Sequence, residues 1–545
     1  MQRKGEKISN SKTNLGSKNT ASSEQIASNL VWLGILAYAI VYGIWSIKKV
    51  TAFEADAFDL GIYDQTLWQI AHFQSLFNTI RGMNLFGDHF TPILFLLAPI
   101  YWFIPEPQGL VAFQSAALAL GAWPIYRIAR HHSAPPAAAA GLSFTYLFAP
   151  ALGYPTLFDF HPNMPAAPIL LFAIDAMERE NYRMLAVWVL LALCCRQDIA
   201  LSVAVYGIAI MLRSAAFRGG NSPINEPKQS HQRDSRQRRN TRLIAGFAVM
   251  MSGIVWLLIC LPVMHRLSGA GTGYVALYSY LGRTPLQIVM NVLLHPIRTI
   301  SYAVPGNVNF MLRIIIPAAG LCLLCPELLL AALPELMMDL LSTRQIMQTI
   351  YAQYTPAILP FVYGAAAIGL GRLWYLLKRF DLIPRYGGEL AGLVLLLLGT
   401  FCFWSFGPWE NMAYLWKHAP PQVALQERNA ILAEIPPQAS VSASPSLVVH
   451  LAHRDQIYMF PNPFIKAWYG AGAAVIRQED LNYHPPLPAK LKPLLSKYKI
   501  DYIVATDPEQ YKPLLQAAVK YGYYKIVSTN GDMLVLKRCA NIINK

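Results

Sequence analysis

The sequence predicts a mainly α-helical bundle of about eleven membrane-spanning helices, followed by a small α/β domain. Apolar residues make up 54% of the 545 residues and charged residues only 14%, with a mean hydropathy of +0.33, a balance unusual for a water-soluble domain. Several apolar runs approach the roughly 20 residues that a helix needs to cross a bilayer. After residue 421, short apolar runs instead alternate with turn residues, which indicates a compact mixed domain.

The first apolar run, residues 29–47, follows a polar segment without apolar periodicity. We therefore predict a disordered tail over residues 1–28 and a membrane anchor that is retained after it. The basic residues of the tail place it in the cytoplasm by the positive-inside rule, so the chain emerges outside near residue 50. The predicted transmembrane region extends over residues 29–410, with a first outer loop over residues 50–108.

The formal net charge of +15 does not indicate a nucleic-acid-binding protein. Lysine and arginine lie in loops between apolar runs, rather than among stacking aromatic residues on one soluble face. The most basic of these loops, residues 213–242, is predicted to be cytoplasmic. Most cysteines lie in or beside apolar runs, so we interpret them as packing residues rather than a disulfide framework.

Two charges, Arg196 and Asp198, interrupt an apolar stretch over residues 185–212. One long helix would bring them near the bilayer centre, at a cost of at least about 2.5 kcal/mol for a charge. We favour two short helices that meet at the charges and leave a water-filled recess open to the outside. The rest of the bundle is predicted as helices near 243–264, 309–324, 326–341, 355–376 and 388–407, with an outer loop reaching about residue 308.

Residues 421–541 are predicted to form an extracytoplasmic α/β domain. KIDYIVATD indicates a strand and PEQYKPLLQAAVKYG a helix. YKIVSTNGDMLVLKR indicates a hairpin that turns at Asn530 and Gly531.

Acidic residues are concentrated just after the first membrane helix. Asp59 lies about ten residues beyond that helix, where its carboxylate would reach the recess and accept a proton from an acceptor hydroxyl. The alternative is that each acid belongs to a solvated interfacial loop. The candidates in this loop are Asp56 and Asp59 for catalysis, and Asp64, Gln65, Asp88 and His89 for substrate binding.

Other ionisable residues are predicted to lie on the same outer side, namely Asp159, His161, Arg196 and Asp198. Ionisable groups near membrane segments usually mark a substrate or ion path, although a structural salt-bridge network is the alternative. Arg196 is the candidate for binding the phosphate of a lipid-linked donor, since its fork of N–H groups matches phosphate oxygens.

Two further groups have roles that the residues leave open. Asp88, His89, Asp159 and His161 offer oxygen and nitrogen ligands for a divalent cation such as Mg²⁺ or Mn²⁺, or they anchor loops through hydrogen bonds. Arg344, Gln353 and Tyr354 lie in a later outer loop and are candidates for holding a sugar or lipid head group. Tyr354 also suits an ordinary aromatic anchor at the membrane interface.

The motifs FDLGIYDQTLW, GDHFTPIL, FDFHPNMPAAP, CRQDIAL and LPELMMDLLS, with the Tyr-Thr-Pro after Gln353, resemble an uncharacterised membrane protein family, domain of unknown function 2079. The resemblance covers roughly residues 50–460. The architecture of that family is similar to that of the C-type (GT-C) glycosyltransferases. These enzymes share a first outer loop with an acidic catalytic residue, short helices around an outward recess and often an outer C-terminal domain.

This resemblance implies an inverting glycosyltransferase of the plasma (inner) membrane that uses a polyprenyl-phosphate-linked sugar and a cell-envelope acceptor. Asp59 would be the base or the substrate-orienting acid, with Asp56 as runner-up, and Arg196 would hold the donor phosphate. Gln353 stands where relatives tend to have His, so no titrating role is expected there. The alternatives are a lipid or solute transporter, which commonly shows repeated halves and midplane sites, and a non-catalytic envelope assembly protein.

Overall fold

The computed structural model describes residues 2–216, 228–268, 274–304, 306–384, 386–464, 491–506, 511–530 and 532–539. The chain is mainly helical and ends in a small mixed sheet, which confirms the predicted fold class. Within these ranges, five segments are long and apolar enough to cross a membrane: Ser22–Thr51, Pro107–His131, Arg236–Ser268, Thr355–Arg379 and Gly387–Phe406. Shorter apolar helices accompany them, so the predicted number of spans stays a prediction.

Helix α1 (Gln2–Thr51) contains the predicted anchor. The prediction of a disordered tail falls largely on residues 1–21, whose side chains lie outside the described residues. The connection that follows α1, called here the first loop, contains much regular structure. It has a π-helical turn, Ala57–Gly61, then α2 (Ile62–Ala71), β1 (Phe77–Asn78), β2 (Met83–Asn84), α3 (Leu85–Asp88) and α4 (Ile93–Leu97).

Five helices follow in close succession and pack around a continuous apolar core. They are α5 (Pro107–Leu120), α6 (Ala122–His131), α7 (Pro136–Leu147), α8 (Pro150–Leu157) and α9 (Ala166–Glu178). Three of them begin with proline, which suits the first helical position because its missing N–H would have no partner there. The segment that links α8 to α9 carries Asp159 and His161.

The charges at 196–198 separate two helices, α10 (Tyr182–Cys195) and α11 (Ile199–Ala216), as predicted. Arg196 has extended backbone angles, φ −162° and ψ 149°, which end the first helix. The far ends of the two helices meet again, because Arg213 of α11 donates a 3.0 Å hydrogen bond to Glu178, four residues before α10. The two helices therefore form a hairpin with its tip at the charged pair.

The basic segment predicted over residues 213–242 has helical structure at both of its ends, and its cytoplasmic position stays a prediction. Arg213 belongs to α11, and residues from Lys228 onward already form helix α12 (Lys228–Ser268). Arg213 is held in the protein because the buried carboxylate of Glu178 pairs with it and, at 3.8 Å, with Arg242. Buried ion pairs of this kind are not visible in a charge count along the chain.

The prediction of two helices near 309–324 and 326–341 is wrong. The structure instead has α15 (Val308–Ile315), α16 (Pro326–Leu329) and α17 (Leu333–Leu340), joined by 3₁₀ turns. Ala319 and Gly320 have positive φ, 55° and 64°, and break the helical path between α15 and α16. The preceding outer loop contains two helices as well, α13 (Pro285–Leu294) and α14 (Pro296–Ala303).

Helices α18 (Leu359–Arg379) and α19 (Gly387–Phe406) lie where they were predicted. Close packing of α19 against α7 depends on the absence of side chains at Gly141 and Gly392. A Cβ at Gly392 would lie 2.5 Å from the carbonyl oxygen of Ala137, so even alanine would push the helices apart. Two helices, α20 (Trp409–His418) and α21 (Gln422–Ala433), lead to the final domain.

The C-terminal domain contains a five-stranded mixed sheet with strand order β4-β3-β5-β7-β6. The strands are β3 (Val441–Ala443), β4 (Ile457–Met459), β5 (Tyr502–Thr506), β6 (Tyr524–Asn530) and β7 (Met533–Arg538); the helices are α22 (Pro445–Val448), α23 (Leu491–Lys497) and α24 (Lys512–Lys520). The predicted strand, helix and antiparallel hairpin are confirmed as β5, α24 and β6–β7. Gly531 of the predicted turn lies outside the described residues.

Candidate functional site

A group of charged side chains lies where the first loop, the α8–α9 connection, the tip of the α10–α11 hairpin and the segment around α17 come together. We call this group the charged cluster. It consists of Lys49, Asp59, Asp159, His161, Arg196, Asp198, Glu335, Asp339 and Arg344. Five of these nine residues were predicted to share one site from sequence, and Arg344 was predicted to face them from a later loop.

Asp59 and His161 form the central contact of the charged cluster. Asp59 lies in the π-helical turn after α1, and its Oδ1 is 3.0 Å from Nε2 of His161. The other ring nitrogen of His161, Nδ1, is 3.0 Å from the carbonyl oxygen of Asp159. Both ring nitrogens thus face oxygen atoms, and these two contacts fix the orientation of the ring beside Asp59.

The surroundings of Asp59 favour its ionised form. Burial acts to raise the pKa of Asp59, but His161, together with Arg344 and Lys49, holds this pKa below its usual value. The side chain keeps 20% of its surface exposed, so a substrate group can reach it. Asp59 is therefore an accessible carboxylate that is charged at neutral pH.

Asp159 and Asp56 support the turn that carries Asp59. Asp159 accepts a 2.8 Å hydrogen bond from Lys49 Nζ at the end of α1 and a 2.9 Å bond from the backbone N–H of Asp56. Asp56 in turn caps the π-helical turn, because its Oδ1 accepts a 2.9 Å bond from the N–H of Phe58. Both carboxylates thereby fix the backbone beside Asp59, and the predicted catalytic role of Asp56 stays a prediction.

Arg196 is already occupied by protein groups. Its Nε donates a 2.7 Å hydrogen bond to Asp198 Oδ1, and a terminal nitrogen pairs with the other carboxylate oxygen. Glu335 and Asp339, one turn apart on α17, interact electrostatically with this pair. Arg196 thus shares its charge with one carboxylate and two neighbouring acids, and its predicted role at a donor phosphate stays a prediction.

Glu335 and Asp339 are site residues that the sequence argument missed. Both are almost fully buried, with 3% and 2% exposure, yet Glu335 Oε1 and Asp339 Oδ2 have no hydrogen-bond partner among the described residues. Buried polar atoms are rarely left in this condition unless a ligand or water pairs with them. The rule that singled out Arg196, a charge within an apolar segment, applies equally to LPELMMDLL and would have identified them.

Arg344 is half-buried at the start of a 3₁₀ turn and differs from the other arginine of the cluster. It lies close enough to Asp59 to lower the pKa of that carboxyl, and it also interacts with Tyr354. Across the described ranges, its guanidinium forms no salt bridge or side-chain hydrogen bond. It is thus a cation available to an anionic ligand, near enough to the candidate base to affect its pKa.

Gln353 and Asn163 extend this side of the site. Asn163 Nδ2 donates a 2.9 Å hydrogen bond to the backbone oxygen of Gln353, which joins the later loop to the α8–α9 connection. The side-chain oxygens of both residues, Asn163 Oδ1 and Gln353 Oε1, are buried and have no partner in the described part of the chain. Amide oxygens in this state can accept hydrogen bonds from hydroxyl groups of a ligand.

Asp88 and His89 are adjacent to the cluster but are used in a closed chain of hydrogen bonds. Gln197 Nε2 lies 3.2 Å from His89 Nδ1, Tyr274 Oη lies 3.1 Å from His89 Nε2, and the Tyr274 hydroxyl donates a 2.9 Å bond to Asp88. Burial lowers the pKa of His89, which agrees with a neutral ring whose two nitrogens are both satisfied. Arg81 pairs with Asp88 at 2.9 Å.

These contacts bear on the metal site predicted from Asp88, His89, Asp159 and His161. The four residues do not form one ligand set, since Asp159 pairs with Lys49 and His161 with Asp59, while the other two belong to the hydrogen-bonded chain. Among the described residues, no three His, Cys, Asp or Glu side chains come together in an arrangement that could hold a metal ion. The donor groups present therefore do not fit a divalent cation at this place.

Asp64 and Gln65 face the C-terminal domain rather than the charged cluster. Buried Asp64 accepts hydrogen bonds from Tyr101 and, at 3.1 Å, from His453 Nε2. Gln65 Nε2 donates to the backbone oxygen of Arg454 at 3.2 Å. The two predicted substrate ligands thus join helix α2, which follows the turn of Asp59, to the C-terminal domain.

The Asp64–His453 pair predicts a pH dependence of stability. Burial acts to lower the pKa of His453, but Asp64 outweighs it and raises this pKa above the usual value, with Glu106 adding to the rise and Arg454 opposing it. A raised histidine pKa contributes stability that is full below about pH 6.5 and is lost as pH rises through the folded-state pKa. We expect the melting temperature of the purified protein to fall over this interval.

His453→Gln should remove that part of the pH dependence, because a glutamine amide does not titrate. Exposed His295→Gln serves as the control and should leave the curve unchanged. Melting temperatures of the three proteins, measured in detergent from pH 6 to pH 9, check this expectation. Parallel curves for wild type and His453→Gln would contradict it.

The chain belongs to a family of predicted membrane proteins described as "Predicted membrane protein (DUF2079)", whose model matches residues 49–474. This confirms the family expected from the motifs. No curated protein matches the chain.

Among solved structures, the chain is similar to ArnT from Cupriavidus metallidurans. The crystal structure of ArnT bound to undecaprenyl phosphate shares 11% identity, with a TM-score of 0.48 over 94% of this chain and 98% of that chain. The apo structure of the same protein shares 13% identity, with a TM-score of 0.48 over 93% of this chain and 97% of that chain.

Proposed function

We propose that this DUF2079 protein is a membrane glycosyltransferase. In this proposal it transfers a sugar from a polyprenyl-phosphate-linked donor to a cell-envelope acceptor on the extracytoplasmic side. The observation that carries the proposal is that an accessible carboxylate, Asp59, has a guanidinium near it, that of Arg344. This guanidinium forms no ion pair among the described residues. An inverting transfer needs these two groups, one for the acceptor hydroxyl and one for the leaving phosphate.

In the proposed reaction, each of these two groups has one role. Arg344 binds the donor phosphate and neutralises the charge that grows on it as the bond to the sugar breaks. Asp59 orients the acceptor hydroxyl and accepts its proton while the hydroxyl oxygen bonds to the anomeric carbon from the opposite face. The departing phosphate keeps the electron pair of the broken C–O bond, and the attack from the opposite face inverts the anomeric configuration.

The remaining members of the site suit a sugar between these two groups. The unpartnered oxygens of Glu335, Asp339, Asn163 and Gln353 are acceptors for hydroxyl hydrogens. His161 and Lys49 hold Asp59 and Asp159 in place, which keeps the carboxylate ready before the substrates bind. In this arrangement Arg344 binds the phosphate, Lys49 supports the turn that carries Asp59, and the oxygen acceptors bind the sugar.

A lipid assay with purified protein tests the proposal. Wild-type protein in nanodiscs is supplied with the lipid-linked sugars and the envelope fraction of its source organism, and lipids are followed by mass spectrometry. We expect one polyprenyl-phosphate sugar to be consumed and the free polyprenyl phosphate to appear. A transporter leaves its lipid chemically unchanged, so an unchanged lipid profile would count against the enzyme.

Arg344→Gln should reduce this conversion by at least tenfold, because the phosphate loses the cation that is proposed to bind it. Arg283→Gln is the matched control, since Arg283 is exposed and far along the chain from the charged cluster. Equal conversion by both variants would remove Arg344 from the donor site.

A further inference from the structure

A cavity lies away from the charged cluster, between the end of helix α2, strand β1 and the edge strand β4 of the C-terminal domain. Its volume is about 500 Å³, within the range of cavities that bind small organic ligands. It is lined by Gln69, Gln74, Ser75, Phe77, Thr79, Asp455, Gln456 and Tyr458. We call it the amide cleft, after its three glutamines.

The lining of the amide cleft suits a hydroxyl-rich ligand. Amide and hydroxyl groups both donate and accept hydrogen bonds, and the rings of Phe77 and Tyr458 offer apolar faces for C–H groups. The lining residues include no lysine or arginine, and Asp455 is their one charged member. A phosphate or a uronic acid would meet this carboxylate without a compensating cation.

One buried group inside the amide cleft lacks a partner. Gln69 is 3% exposed, and its Nε2 donates a 3.0 Å hydrogen bond to the backbone oxygen of Phe77. Its Oε1 then has no hydrogen-bond donor anywhere in the described part of the chain. A buried amide oxygen without a donor is uncommon, and at a lining residue of the cleft it is an acceptor that the hydroxyl group of a ligand would satisfy.

The walls of the amide cleft are joined firmly. Thr79 donates a 2.6 Å hydrogen bond to the carbonyl oxygen of Ile457 and accepts a 3.0 Å bond from the N–H of the same residue. Gln65 Nε2 also donates to Thr79 Oγ1 at 2.9 Å. The first loop and the C-terminal domain therefore form one preformed surface, which lowers the entropy cost of binding.

We propose that the amide cleft binds a neutral oligosaccharide, and that this oligosaccharide is part of the acceptor. The second half of this inference rests on the proposed function. Helix α2 links the charged cluster to the amide cleft. Gln69 is ten residues beyond Asp59, which corresponds to about 15 Å at a helical rise of 1.5 Å per residue. A single sugar does not bridge this distance, so the acceptor is a glycan chain or a glycosylated molecule.

An array of immobilised bacterial envelope glycans, probed with the purified full-length protein in detergent, tests the inference. We expect retention by a set of neutral oligosaccharides, and weaker retention by chains rich in phosphate or uronic acid. The double variant Asp455→Ala with Gln456→Ala should lose at least tenfold in apparent affinity. Both side chains are exposed, so the fold should tolerate the change.

The matched control is Glu434→Ala with Gln438→Ala, which removes the same two groups from an exposed place outside the cleft. It should bind like wild type. Failure of wild type to retain any glycan, or equal retention by the two double variants, overturns the inference. Asp59→Asn separates it from the catalytic proposal, because glycan retention should persist in this variant even though transfer is lost.

Discussion

Asp59→Asn is expected to reduce sugar transfer by about 10² to 10⁴-fold, the usual contribution of a positioned acid or base. Asparagine has nearly the same shape but accepts no proton from the acceptor hydroxyl. A strain carrying this variant should lose one cell-surface glycan while the protein remains at its normal level in the membrane. Glycan profiling, together with immunoblotting of the membrane fraction, measures both quantities.

Asp56→Asn is the matched control, since it makes the same chemical change three residues earlier. Asparagine caps a helical turn about as well as aspartate, so the turn should keep its shape and transfer should fall by no more than a few-fold. If the two variants exchange their effects, Asp56 is the catalytic acid. If neither affects the glycan, the catalytic proposal is wrong.

Arg196→Leu is expected to be the most destabilising change of a single charge at the site. Removing this guanidinium leaves Asp198 without its bidentate partner and leaves three acids together, two of which are almost completely buried. Breaking a buried pair in this way typically costs about 3–5 kcal/mol. The protein should accumulate poorly and unfold at a lower temperature, as measured by thermal denaturation in detergent.

Two further variants separate lost charge balance from lost bulk. Arg298→Leu makes the same substitution at an exposed arginine and should change the free energy of unfolding by no more than about 0.5 kcal/mol. Adding Asp198→Asn to Arg196→Leu should recover part of the lost stability, because it removes one uncompensated charge. Equal stability of the two leucine variants would show that the acids do not depend on Arg196.

The sequence predicts the helix break at Arg196 because it joins two local signals, an apolar stretch too long for one short helix and two charges in its middle. It also predicts that the segments around Asp59, Asp159 and Arg196 meet, because crossings of fixed length bring alternate loops to the same side. The β6–β7 hairpin follows from alternation around an Asn-Gly pair. These successes depend on local patterns and on the order of the apolar segments along the chain.

The partners within the site depend on distances that no local pattern contains. Lys49 pairs with Asp159, 110 residues away, and Gln65 bonds to Arg454, 389 residues away. Arg196 illustrates the same limit: the sequence offers a cation for phosphate, but an extended backbone at this residue turns its side chain onto Asp198, two positions later. Which arginine stays unpaired is decided by tertiary packing, so Arg344 could not be ranked above Arg196 beforehand.

The hairpin of α10 and α11 also matters for reading the chain by hydrophobicity alone. By hydrophobicity alone, residues 185–212 would be counted as one membrane crossing. A hairpin of two helices instead begins and ends on the same side of the membrane. An error of one in the number of membrane crossings would place every later loop on the wrong side of the membrane. Reporter fusions after Glu180 and after Arg242 should accordingly give the same signal, and opposite signals would contradict the hairpin path.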